Sequence, residues 1–424
     1  MLTRILHNSP ELCTFVKSLQ LPLSAPQLRH VVNVIDGLLV ADGRKTLAEI
    51  QRQFVSCPDP SNVADSFRIA PWTAEDIRGA TETMLISRAI EYLERTEQPR
   101  RLLINLDDSL ALKDPDTRCL QGVDWHYYHA YKRKKRYCVQ NGLAYLACNI
   151  VAGDWNFTFA IRPYLRQKTV RRINRSRPPE KRLRFVSKYR LARRILEDCR
   201  TRIPSDVQVY VQFDAWYASA RLLKYIRRQG WHAICQVQSN RHLSGQSLAQ
   251  HFLAQKHQRY VYAHIPAPED SRRTFLVRHM LGRIHKVPFD VRGLETKRHY
   301  WDRRPVYFLC TDTTLPPETA LQWYARRWNC EIDNYYLKER LGLADFRLQS
   351  YEAIDKFCTV VHLAYVYLQC QFLLLSSATV LTLADVIRLH RDEHARTWLI
   401  GACSLAIESG SIAVVLDRFL RAPP

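Results

Sequence analysis

Over the first hundred residues, apolar positions recur at three- and four-residue intervals, in Leu12-Phe15-Val16-Leu19, Val31-Val34-Ile35-Leu38-Leu39 and Ile77-Ala80-Met84-Leu85. This is the period of helices with one buried face. The linker Cys57-Pro58-Asp59-Pro60-Ser61-Asn62 has turn chemistry. Thr73, with Asp76 three residues on, reads as the N-cap of the third helix. Residues 1–100 are therefore expected to form a helical N-terminal domain, a kind of unit that serves DNA binding in some proteins and scaffolding in others.

From Arg101 the pattern changes to short apolar runs at 102–107, 143–151, 157–161 and 207–213, followed by Ala233–Val237. Helical segments at Lys188–Leu196 and Ser219–Gln229 fall before and after the fourth run. A three-strand meander followed by alternating helices and strands is the order of an α/β, ribonuclease H-like core. Its first part is expected at 101–240. Short alternating segments such as Tyr260–His264 and Thr274–Val277 then mark a β-rich insertion over 241–304. The core resumes at 305–375 with the strand Val306–Cys310 and a helix opened by Pro316-Pro317-Glu318; a helical C-terminal region fills 376–424. Phe357–Ala378 carries no charged side chain but holds His362, Gln369 and Gln371, so it reads as a buried core helix, and no membrane partner is expected.

Charge changes the picture. The 424-residue chain has a formal net charge of +22, which points to a polyanionic partner. The basic residues cluster: Arg162–Arg194 contains one acid, Glu180, and a second run spans Lys132-Arg133-Lys134-Lys135-Arg136. Lys132, Arg133, Lys134, Arg171, Arg172 and Arg175 are the candidates for contact with DNA phosphates. The twelve cysteines form no CxxC pair and fit a reducing compartment. The pair His126 and His129 lacks further zinc ligands, and His390 and His394, one helical turn apart, lack the HExxH order. Trp301, in the insertion, can stack on a displaced base or fill a gap between strands.

Two acids end strand-like runs, Asp108 after Leu102–Asp107 and Asp214 after Val207–Phe213. Tyr324, Arg327, Glu331 and Lys338 are spaced by three, four and seven residues, which puts them along one face of an α-helix. Three carboxylates plus a substrate phosphate suffice to hold two Mg2+ ions, with Mn2+ as a substitute, and this suits cutting and joining of DNA. Asp107 is an alternative to Asp108 as the first ligand.

The pattern Tyr324-x2-Arg327-x3-Glu331-x6-Lys338 resembles the Y-R-E-K signature of bacterial insertion-sequence DDE transposases. Leu106-Asp107-Asp108-Ser109 is similar to the family's first motif, an aspartate before Ser or Thr, and Asp214-Ala215-Trp216-Tyr217 to its second, an aspartate with a tyrosine three residues later. The resemblance runs from about 101 to 350. It implies a ribonuclease H-like domain that cleaves transposon ends and joins them to target DNA. Asp108, Asp214 and Glu331 would be the catalytic metal ligands, with Asp108 favoured over Asp107 by the motif. Arg327 and Lys338 would contact end phosphates, and Tyr324 would pack on the backbone near the cut. It also implies a cytoplasmic, nucleoid-associated protein that works as a dimer on DNA. The alternatives are a structure-selective nuclease with the same core and a domesticated DNA-binding protein that no longer transposes.

Overall fold

The apolar runs after Arg101 become strands of a ten-stranded mixed sheet in the computed structural model, which describes residues 3–56, 59–133, 136–255, 257–266, 272–375 and 382–420, the side chains of 60, 128–133, 136–138, 266 and 272 excepted. Five helices precede the sheet: α1 (Pro10–Ser18), α2 (Ala25–Val40), α3 (Leu47–Gln51), α4 (Pro60–Arg68) and α5 (Ala74–Arg95). The capping box expected at Thr73 is formed, with Asp76 accepting from the Thr73 N–H. Then come β1 (Arg101–Leu112), β2 (Asp124–Arg133), β3 (Arg136–Ala152), β4 (Trp155–Tyr164), α6 (Gln167–Asn174), α7 (Lys188–Arg200), β5 (Gln208–Phe213), α8 (Ala220–Arg228) and β6 (His232–Val237).

Strands β4, β3, β1, β5 and β6 lie side by side in that order. The first three are antiparallel neighbours, and β5 and β6 run parallel to β1. This is the ribonuclease H-like arrangement. Strand β3 is long enough for β2 and β4 to share its outer edge in tandem.

The insertion holds β7 (His242–Leu243), β8 (Gln246–Ser247), α9 (Leu248–Ala254), β9 (Val261–Pro266), β10 (Arg272–Arg283) and β11 (Asp290–Lys297), followed by β12 (Val306–Cys310). It does not stand apart from the core. Strand β12 pairs antiparallel with β6, and β11, β10 and β9 extend the same sheet outward. Helix α10 (Pro317–Ala325) crosses back over these strands: Glu318 accepts from the His264 N–H of β9 (2.8 Å), and Gln322 donates to the His264 carbonyl (2.9 Å).

The single helix expected over Tyr324–Lys338 is not uniform. A 3₁₀ turn (Arg326–Trp328) follows α10, then α11 (Asn329–Tyr335), then a π turn (Tyr336–Arg340). The path stays right-handed until Gly342, whose φ of +63° ends it; a Cβ there would also meet the Lys45 side chain at 2.5 Å.

Helix α12 (Tyr351–Leu375) is the apolar helix expected within 357–378; its residues through Cys370 are mostly buried, and 376–378 lie outside the described residues. Among the described residues it alone is long and apolar enough to cross a membrane, but it packs against β4 and the N-terminal helices. Its polar groups have partners: His362 donates to the Thr158 carbonyl (2.9 Å) and Gln369 accepts from the Thr158 N–H (3.0 Å). Leu12, Val34, Leu38, Ile77 and Leu85 of the N-terminal helices join Leu102, Ile104, Leu106 and Phe157 of the sheet in one core. Helices α13 (Leu383–Ser409) and α14 (Ile412–Phe419) complete the fold.

Burial lowers His362 to about 4, aided by the charges of Arg162 and Arg78. Its neutral form is the folded form, so its contribution is complete above the ordinary pKa near 6.5 and is lost as pH falls from there towards 4. That loss is roughly 3 kcal/mol. Unfolding midpoints measured across this window are expected to drop for the parent and to flatten in His362→Gln, which keeps a donor to Thr158. Parallel curves would remove His362 as the cause.

Candidate active site

Strand alternation decides how the two β1 aspartates are used. Leu102, Ile104 and Leu106 face the large core with α7 and α8, whereas Leu103 faces a second cluster beneath α10 with Tyr210 and Leu321. Asp108 follows the first set and Asp107 the second. The parallel register pairs Leu106 with Phe213, so the next residues along, Asp107 and Asp214, are neighbours. Strand β5 ends there, but β1 runs on to Leu112 paired with β3, so Asp107 and Asp108 lie within the strand and not at the end expected for Asp108.

The α10–α11 side holds the signature. Arg327 Nη1 lies 3.2 Å from Asp107 Oδ2, with both side chains largely covered. That nitrogen is buried and makes no hydrogen bond of good geometry. Burial pushes the Asp107 carboxyl up to about 7; Arg327 opposes this, and Glu331, Asp108 and Asp214 add to it. Glu331 is exposed at the mouth of the site. Lys338 donates to Ser109 Oγ (3.2 Å); burial lowers its pKa against the opposing charges of Glu331, Glu339 and Asp107. Burial also pulls Arg327 down, but Tyr324 and Asp107 outweigh it and hold the guanidinium above its usual range. Tyr324 is turned inward, contrary to the expectation of a residue lying on DNA. Its hydroxyl donates to the Phe213 carbonyl (3.4 Å), just before Asp214, and burial pushes it up to about 12.

On the other side, Asp108 accepts from the Tyr217 hydroxyl (2.9 Å) and pairs with Lys188 at the start of α7. Burial raises Asp214, with Asp108 the next cause, while Arg327 and the backbone N–H groups of Trp216 and Tyr217 hold it down. The tyrosine of the expected second motif, Tyr217, is fully buried and ties the Asp214 loop to Asp108.

Asp107, Asp108, Asp214 and Glu331 therefore share one electrostatic neighbourhood without closing to ligand separation. Among the described residues, only Asp36, His390 and His394 form a group of three with ligand atoms all within 4.8 Å. The donor set offered by Asp107, Asp108, Asp214 and Glu331 is all carboxylate oxygen with positive groups behind it, which fits a hard divalent cation rather than zinc.

Sequence reasoning missed what fixes α11. Asp333 is buried and accepts from Asn149 (2.6 Å) and Tyr365 (2.8 Å), while Asn105 donates to Asn149 (3.0 Å) and Tyr145 to Asn334 (2.8 Å). Two residues after Glu331, this inward acid locks the helix so that Glu331 points out. It also missed Lys188, Tyr189 and Trp216. The last two stack at 4.5 Å beside Asp214, with Lys188 over the Trp216 ring. Trp216, inside the Asp214 motif, was the available signal, whereas Lys188 and Tyr189 come from a distant stretch of chain.

The basic stretch divides. Arg171, Arg172 and Arg175 are exposed on or next to α6. Arg162 is instead buried against Glu82, and Arg177 pairs with Glu352. The side chains of Lys132 and Arg133, and all of Lys134, lie outside the described residues, as does the His129 side chain. His126 is half-buried beside Tyr164. Trp301 is 76% exposed with its ring stacked on His299, so it is not a core residue.

Residues 19–275, more than half of the chain, match the family described as DDE superfamily endonuclease, and residues 185–367 match the transposase DDE domain. No curated protein matches the chain. With Asp107 and Asp108 of β1, Asp214 just past β5 and the helical Glu331 in one neighbourhood of a ribonuclease H-like sheet, the chain belongs to the DDE superfamily endonucleases and is a transposase-type nuclease.

Proposed function

We propose that this protein cleaves transposon ends and joins them to target DNA in a cut-and-paste reaction. The observation that carries the reading is the gathering of Asp107 and Asp108 of β1 with Asp214, just past the end of β5, and with Glu331 and Arg327 above them. The proposed cage for two Mg2+ ions is Asp108, Asp214 and Glu331, with Asp107 as a fourth carboxylate. Asp108 is favoured by the Asp-Ser motif and by its field on Asp214; Asp107 is favoured by its exposure to both Asp214 and Glu331. Bound ions would activate water and stabilise the departing 3′ oxygen. Arg327, ion-paired with Asp107, would turn its guanidinium to a phosphate oxygen, and Lys338 would support the next phosphate. Tyr324 holds the backbone before Asp214 in place. Exposed Trp216 and Tyr189, and Trp301 further out, are flat surfaces on which unpaired bases can stack.

The units 1–100, 101–240, 241–304, 305–375 and 376–424 would divide the work, with the N-terminal helices and the insertion contacting DNA. Joining two ends to one target needs two active sites, so the working form is a dimer on DNA. Incubating the protein with the DNA flanking its own coding region and Mg2+ is expected to give nicked, double-cut and joined products in that order. Cutting without joining would identify a structure-selective nuclease instead, and binding alone a domesticated descendant.

Affinity for that DNA is expected to fall steeply with salt, by a log–log slope of about −0.9 for each phosphate neutralised. Arg171, Arg172 and Arg175 together to alanine should flatten the slope by about 1 to 3. An unchanged slope would make this face of α6 a solvated surface.

A further inference from the structure

A second cluster of ligating side chains lies away from every element that carries a catalytic acid. Asp36 on α2 is fully buried, and so, nearly, are His390 and His394 on α13. The two imidazoles are four residues apart on one helix face, and both direct Nε2 at the same atom, Asp36 Oδ1, at 2.8 and 2.7 Å. The other carboxylate oxygen accepts from the Ser9 N–H (3.1 Å), which fixes its orientation. The His390 ring edge rests on Tyr367 of α12. Arg391, next to His390 on α13, is turned away: it donates to the carbonyls of Leu39 and Ala41 and pairs with Asp42. Glu11 on α1 and Glu393 on α13 bring further negative charge to the pair.

We infer that Asp36, His390 and His394 form a structural site for a zinc-class divalent cation, joining the N-terminal helices to α13. Two neutral imidazoles and one carboxylate, presented from a buried wall, are a donor set that suits Zn2+ and suits Mg2+ poorly. At Zn–N bonds of about 2.0–2.1 Å, tetrahedral ligand atoms sit roughly 3.3 Å apart, so the present contacts open by about half an ångström on binding. Glu393, Glu11 or a water completes the coordination. On binding, each neutral imidazole carries its N–H on Nδ1 and gives the Nε2 lone pair to the cation, which thus takes the place of the two hydrogen bonds to the carboxylate, in a pocket where the arginine is already committed elsewhere. The site is independent of the transposase reading, because no catalytic residue takes part.

The test uses the full chain carrying Glu331→Ala, so that divalent ions at the catalytic cage do not obscure the count. After growth with zinc and extensive dialysis, elemental analysis is expected to find about one zinc per chain. His390→Gln with His394→Gln should reduce this at least tenfold, and Asp36→Asn should reduce it while keeping a polar group to the histidines. Circular dichroism confirms that each variant is folded. Cobalt exchanged into the site should give visible d–d absorption of tetrahedral intensity, and a chelator should lower the unfolding midpoint of the parent but not of the histidine variant. A folded parent without zinc, a zinc content indifferent to the histidine pair, or a midpoint indifferent to chelator would each overturn the proposal and leave a hydrogen-bonded clasp.

Discussion

Asp214→Ala and Glu331→Ala are each expected to reduce end cleavage by on the order of a thousand-fold or more, the equivalent of about 4 kcal/mol of lost transition-state stabilisation. DNA binding should persist, because affinity comes from cations on phosphate, whereas these acids serve the proposed metal cage. Cleavage should require Mg2+ or Mn2+, with Ca2+ supporting binding alone. The β1 doublet sharpens the test. If both acids belong to the cage, Asp107→Asn and Asp108→Asn each lose cleavage to the same degree. Near-normal cutting by one of them would exclude that acid and give its neighbour the whole role. Near-normal cutting by Glu331→Ala would sink the active-site assignment itself.

The second large effect is on stability. Arg162 on β4 reaches Glu82 of α5, only 2% exposed, and lies 3.2 Å from Asp198; Arg202 stands 3.5 Å from the other Glu82 oxygen. Burial raises the Glu82 pKa and Arg162 opposes that shift, so Glu82 depends on this partner for its charge. Arg162→Met leaves the buried Glu82 carboxylate with Arg202, at 3.5 Å, as its remaining cation, and urea unfolding is expected to show a loss of roughly 3–5 kcal/mol. Arg162→Met with Glu82→Met should recover much of it, since an apolar pair replaces an ion pair without an orphaned charge. DNA affinity of the folded variant should stay the same. A stable Arg162→Met with weakened DNA binding would put this arginine on the DNA face, where the sequence pattern alone had placed it.

That reversal illustrates what a sequence pattern conveys. The runs at 102–107 and 207–213 announce β1 and β5 because a doubly covered strand must be apolar on both faces; Asp214 stands out because an acid at such an end has no core to join, and Glu331 because its helical spacing aligns it with Tyr324, Arg327 and Lys338. The N-cap at Thr73 and the buried helix around 357–375 were equally legible. Charge runs were not, because Arg162 and Arg171 look alike until the acid opposite one of them, eighty residues away at Glu82, is known. Which face Asp107 and Asp108 take depends on register against β5, a non-local quantity. The Asn149–Asp333–Tyr365 bonds join three separate stretches of chain, and the way β9–β12 extend the core sheet follows from pairing with β6 rather than from their own alternation. The breaks in the signature helix arise from packing that no spacing rule records.

The hold of α10 on β9 has a mechanical consequence. Glu318 and Gln322 grip the outermost strand of the insertion, and a few residues further on Tyr324 grips the end of β5 and Arg327 faces Asp107. The helix is thus a beam resting on two supports, one at the rim of the sheet and one at its catalytic centre. A load applied at the rim would tilt the beam and move the glutamate beyond its inner support. The insertion is in this sense part of the gauge that sets the depth of Glu331, and a chain trimmed of β9 and β10 would keep all its acids while losing the fixed point from which one of them is aimed.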